Sequence, residues 1–217
     1  MPTPTEVGNF QRILLSLSAL GALAVRNMWT DVSDSQTLKE TFPPTIDPFV
    51  AAAGVLAAEW YSGLSDVPFD TRVSEPPALQ VLAETVGWAF TQADPLNAAI
   101  GSTERHIFTA ARDTVVDNAT REGVRFARYA SANACPWCRV LATRKPVFKD
   151  AGNAVRGHNN CHCIAVPVRP GDTYSPPDYV KTWLDDYNAA RDEVGGNLDD
   201  ITNYLRRTQN LTPAPSG

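Results

Sequence analysis

All four cysteines of this 217-residue chain lie between Cys135 and Cys163, in the strings "CPWC" and "HNNCHC", with two of its three histidines. A fold built on this sequence has to account for soft ligands gathered into one window of 29 residues. Cys135 and Cys138 have the spacing with which a tight turn presents two thiolates to one tetrahedral ion. His158, Cys161 and Cys163 form a second cluster near enough to complete the set. Zinc takes four ligands and five candidates are present, so the choice of four stays open. His162 alternates with Cys161 and Cys163 and should point away from them if this piece is extended. A closed Cys₃His shell leaves no coordination position for water, so the expected ion is structural.

Three other uses of the cysteines compete. Two disulfides would suit a secreted protein. The stretch "RILLSLSALGALA" (Arg12 to Ala24) does look like a signal-peptide core. Upstream of it, however, stand Glu6 and a single Arg12 rather than a basic cluster. Its 13 residues are too few to span a bilayer, and Phe10, Leu14, Leu17, Ala24 and Met28 recur near one helical face. An ordinary packed first helix, with no membrane, is the expectation. A redox CxxC would need a thioredoxin-like βαβ setting, which the flanks do not offer. Four reduced, unconnected thiols are the last alternative.

Helical patterns dominate the rest. The first helix is expected over Thr5–Thr30, followed by a break through "DVSDS" and "TFPPTIDP", because Pro43, Pro44 and Pro48 are poor helix-interior residues. Further helices are expected over Phe49–Leu64, from Ala78 to about Gln92, and from near Pro95 through Arg121, with Gly101 and Ser102 leaving room for a break. "VRFARYAS" and "CHCIAVPV" read as strands, with a short helix at "CRVLAT" between them. Two helices follow Pro170, before a frayed tail "LTPAPSG". The fold class is therefore α+β: predominantly helical, with a small sheet of two or three strands carrying a zinc-knuckle-like site. Three regions are expected: a helical N-terminal region at 1–100, a core holding the Cys/His cluster at 101–170, and C-terminal helices with a short tail at 171–217.

Net charge is −5, which gives no overall reason to expect nucleic acid or an anionic membrane. Its distribution is uneven. Residues 1–100 carry 4 Lys/Arg against 11 Asp/Glu, whereas residues 101–170 carry 11 against 5. Arg121, Arg125, Arg128, Arg139, Arg144, Lys145, Lys149 and Arg156 could meet DNA or an acidic protein surface if they cluster.

The segment "RYASANACPWCRVLATRKPVFKDAGNAVRGHNNCHCIAVPV" resembles the core of the Mu F-like minor head proteins of tailed phages, closest to versions from phages of actinobacteria. There a C-x-x-C near a short "LA" helix precedes H-x-x-C-x-C at the start of a strand; the motif portion here covers residues 124–168. The "AAEWY" stretch (Ala57 to Tyr61) is similar to an upstream helix of those proteins. The resemblance implies a minor capsid component acting in head assembly. Its partners would be portal or capsid proteins, and its place the virion, with the host cytoplasm during assembly. Residues 1–100 would then carry the portal contact.

Some proteins of this kind are labelled capsid maturation protease, so an enzyme is the alternative. Cys135 or Cys138 with His158 could form a nucleophile–base pair. A zinc-bound thiolate is not free to attack, so the two uses exclude each other. No G-x-S-x-G or H-E-x-x-H is present, and His106 has neighbours typical of a helix surface. The expectation is no catalysis, with a nucleic-acid-binding zinc module as the remaining alternative.

Overall fold

A computed structural model describes residues 2–32, 34–144 and 157–209. Among them are seven helices and one two-stranded antiparallel sheet. The helices are α1 (Pro4–Asp31), α2 (Ser35–Ser62), α3 (Leu79–Ala89), α4 (Pro95–Glu122), α5 (Pro136–Thr143), α6 (Tyr179–Val194) and α7 (Leu198–Thr208). Strands β1 (Arg125–Tyr129) and β2 (Ile164–Val168) pair with Arg125 opposite Val168 and Tyr129 opposite Ile164. Of the sequence expectations, Lys145, Lys149, Arg156 and the "LTPAPSG" tail lie outside the described residues.

Helix α1 begins on a capping box, in which the Thr3 hydroxyl accepts from the Glu6 N–H while Glu6 returns to Thr3 N at 2.7 Å. Its length and apolar composition would suffice to cross a membrane, a property shared by core helices and signal sequences. Here Val7, Phe10, Leu14 and Val25 are buried against other helices. Gly21 lets α4 and α2 come close: a methyl group at this position would sit 3.1 Å from Ile107 Cδ1 and 3.6 Å from Phe49.

The expected break at the prolines does not occur. Helix α2 runs through Pro43, Pro44 and Pro48. Phe42, Ile46, Val50 and Ala53 form an uninterrupted buried face at helical spacing. Pro44 and Pro48 sit on the exposed side, as do Lys39 and Glu40, whose carbonyls lose their usual partners to Pro43 and Pro44. Those carbonyls therefore remain near water while the apolar face holds the helix together. Helix α4 is also continuous through Gly101 and Ser102.

Two apolar clusters share these long helices. One joins the start of α1, the end of α2, α4 and the sheet through Phe10, Tyr61, Phe108, Val115, Phe126 and Val166. The other joins the end of α1, the start of α2, α3 and the start of α4. Between α2 and α4, Asn118 accepts from Arg72 N at 2.9 Å and donates to Arg72 O at 2.6 Å, laying the 63–78 connection along α4. At the far end, Arg169 grips Glu122 at 2.7 and 3.0 Å, and Tyr61 donates to the same carboxylate at 2.5 Å.

His106 corrects the surface reading: it is buried at 8% exposure, with Nε2 3.0 Å from the Thr85 hydroxyl. Burial, with a smaller contribution from neighbouring Arg105, lowers its pKa to about 4. The folded state thus binds this proton less well than the unfolded state, and stability should fall as pH drops from about 6.5 to about 4. Asp113, raised to about 6 by burial, acts in the opposite direction over part of this window. Urea titrations of wild type and His106→Gln from pH 7.5 to 4 separate the two contributions. The variant is expected to lose stability less steeply on acidification, and parallel curves would show that His106 carries none of the dependence.

Candidate metal centre

Three local structures bring the ligands together. Cys135 caps α5: its Sγ accepts from Cys138 N at 3.4 Å, and Pro136 occupies the first helical turn. That turn points both thiols the same way. Preceding β2, the segment 158–163 turns sharply at Asn160, which has φ of +59°. It also packs onto α4 where Gly101 leaves room, since a methyl group there would lie 2.7 Å from Asn160 Oδ1. Asn160 N donates to Gly101 O at 3.4 Å, and Ser102 reaches Asn159 Oδ1 at 3.3 Å. The third structure is β1, which carries Arg128 behind the sulfurs.

The five candidates form two overlapping triads that share Cys138. In one, Cys135, Cys138 and His158 present ligand atoms within 4.8 Å of one another; in the other, Cys138, Cys161 and Cys163 do so. Cys138 Sγ and Cys161 Sγ are 3.5 Å apart, and Cys161 Sγ and Cys163 Sγ are 3.6 Å apart. Two thiolates on one tetrahedral zinc with bonds of about 2.3 Å stand about 3.8 Å apart, so the inner sulfurs are close to that spacing. Cys135 Sγ and His158 Nε2 are 2.8 Å apart, a hydrogen-bond distance. His158 Nδ1 lies 2.7 Å from Asn159 O. An Nδ1–H donated to that carbonyl leaves Nε2 facing the sulfurs, the usual arrangement of a metal-bound imidazole. The cluster can hold a metal ion.

Cys138, Cys161 and Cys163 are buried, and Cys135 and His158 are half-buried along a cleft of about 200 Å³. All four thiols are free of disulfides. His162 turns away as its alternation requires, with Nε2 3.0 Å from Glu104 and its ring against Phe108.

Two residues of the site were not singled out in the sequence. Arg112 of α4 is 1% exposed; it donates to Cys163 O and Thr109 Oγ1, each at 2.8 Å, and its Nη1 lies 4.0 Å from Cys161 Sγ. Arg128, taken above only as part of a basic run, is also 1% exposed, with Nη2 3.5 Å from Cys161 Sγ and 4.0 Å from Cys138 Sγ. A signal for Arg112 was present. It falls in the buried series Phe108, Ala111, Val115 and Ala119, where an arginine needs a partner. The basic run itself is dispersed. Arg139 donates to Ala134 O and lies over Trp183, Arg121 lies over Phe69, and Arg125 and Arg144 are exposed.

The electrostatics divide the thiols: Cys135 and Cys161 are held toward thiolate, whereas hydrogen bonds from neighbouring sulfurs and burial raise Cys138 and Cys163. Hydrogen bonds from Cys138 and Cys163, with the two guanidinium charges, hold Cys161 well below the usual thiol range. A hydrogen bond from Cys138 and the His158 pair lower Cys135 against the opposing effect of burial. Burial alone would lower His158, but the Cys135 thiolate outweighs it and raises the imidazole.

A family model described as VG15 protein matches residues 1–190. The chain belongs to the VG15 protein family. That match spans all of α1–α5, both strands and most of α6, and so includes every candidate ligand. It associates the chain with viral and phage gene products. No curated protein and no solved structure matches it.

Exposure orders the thiols of the metal-free, reduced chain. At pH 7 one thiol, Cys135, should react quickly with a disulfide reagent, and the other three should wait for opening of the fold. Mass mapping of the first adduct checks this; first labelling at Cys163 would contradict the geometry.

Proposed function

We propose that the protein is a minor head component of a tailed phage, of the Mu F-like kind, in which one structural zinc ion ties the α5 turn to the start of β2. The convergence of two triads on Cys138 carries this reading, because a single ion beside Cys138 can draw its four ligands from both. Membership of the VG15 family supports the phage context. The specific head-assembly role rests on the resemblance of residues 124–168. Within this reading the protein acts in the virion, and in the host cytoplasm during assembly.

Zinc would join segments that the backbone connects only through the long 144–157 stretch, and would therefore contribute directly to folding stability. Purified protein is expected to hold about one zinc per chain. Zinc at about a hundredfold over its dissociation constant should raise Tm by roughly 5–10 °C relative to chelated protein. Protein that purifies without metal and gains no stability from added zinc would remove the centre.

A second reading has one observation in its favour. The 2.8 Å Cys135–His158 contact at the N-terminus of α5 could serve a cysteine protease. That use leaves three more thiols crowded behind the pair without a role. The metal would use four of these five groups together, so we infer no proteolysis. Cleavage of capsid precursor by the purified protein, abolished by Cys135→Ala in a folded variant, would reverse the preference.

The proposed partner is the portal or another capsid protein. Ile13, Leu20 and Leu23 project from α1 at 51–57% exposure and offer an apolar surface for it. Leu20→Glu with Leu23→Glu should abolish co-purification with portal while leaving the metal content unchanged. Undiminished co-purification would move the contact off α1.

A further inference from the structure

We propose that Arg128 and Arg112 are positioning residues for the metal-bound thiolates, compensating their charge from inside the protein and thereby setting the affinity of the centre for a soft divalent ion. This rests on the zinc reading above and adds a role for two residues that do not bind the ion. With three or four thiolates, a divalent ion leaves the centre one or two charge units negative. Cys138, Cys161 and Cys163 are at most 2% exposed, so water cannot offset that charge on their inner side. Neither guanidinium lines the cleft onto which Cys135 and His158 open. Both come from the opposite direction, Arg128 from β1 and Arg112 from α4, to 3.5 and 4.0 Å from Cys161 Sγ.

Their positions are fixed by different means. Arg112 is held by Cys163 O and Thr109, and lies so close beneath Gly157 that a methyl group there would stand 3.0 Å from its Cζ. Arg128 is anchored by its strand, where it pairs with Ala165, three residues from the Val168 end of β2. Neither geometry requires the ion, so the positive charge is in place before metal arrives. An ammonium in place of Arg128 would keep the charge but not the guanidinium geometry that places Nη2 near both the Cys138 and Cys161 sulfurs.

The test uses the full chain with Co²⁺ as the probe, whose thiolate-to-metal absorption reports the sulfurs directly. Arg128→Met should weaken Co²⁺ and Zn²⁺ binding by about 10–100-fold and move the thiolate-to-metal band to lower energy. Arg128→Lys should recover much of the affinity and of the band position, which a packing role would not do. Wild-type protein that shows no thiolate band overturns the metal centre itself. A wild-type band with unchanged affinity and band energy in Arg128→Met overturns this inference alone, as does a lysine variant no better than methionine. If Arg128→Met does not fold, ¹¹³Cd-loaded wild type decides: guanidinium protons of Arg128 coupled to the cadmium through sulfur are expected, and their absence sinks the proposal.

Discussion

Three buried thiols and two guanidinium groups packed together out of reach of water set the terms for the centre of this fold. Arginine is seldom buried without a partner, and here two arginines lie 1% exposed behind the same sulfurs. Negative charge on Cys161 favours the arrangement, and both arginines come from elements held in place. Arg128 lies in a paired strand, and Arg112 in the 28-residue α4. The two-stranded sheet sets Arg128 beside the start of β2, next to the segment 161–163.

Helix α4 carries this constraint into the rest of the molecule. Its early turns admit Asn160 at Gly101, its middle supplies Arg112 to the ligand segment, and its last turn meets Arg169 through Glu122. The same helix packs through Ile107, Phe108 and Val115 in the cluster that holds α1 and α2. The half with the Cys/His cluster and the helical half are therefore built on one helix. Gln11 of α1 completes the connection by donating to His162 O at 2.5 Å.

Much of this could be read from the chain because it follows short-range rules. The helical spacing of Phe10, Leu14, Leu17, Ala24 and Met28 marked α1, and the alternation of Cys161, His162 and Cys163 sent the middle side chain away. Misreadings arose where tertiary contacts outweighed local preference. Pro43, Pro44 and Pro48 signal a break to any local rule, yet Phe42, Ile46 and Val50 have a core to fill and the helix continues. His106 follows Glu104 and Arg105 in sequence, yet it is buried, with Thr85 of α3 bonded to its ring. Arg128 reads as one cation in a basic run, and only the strand pairing turns it inward.

The bond from Gln11 to His162 spans 151 residues of sequence. During synthesis α1, α2 and α4 leave the ribosome well before Cys161 and Cys163. Until that later segment arrives, Arg112 has no Cys163 carbonyl to bind, and α4 shows water a surface that the finished protein covers. The nascent helical half is therefore incomplete until the 161–163 segment emerges and closes both the candidate metal centre and the bundle beneath it.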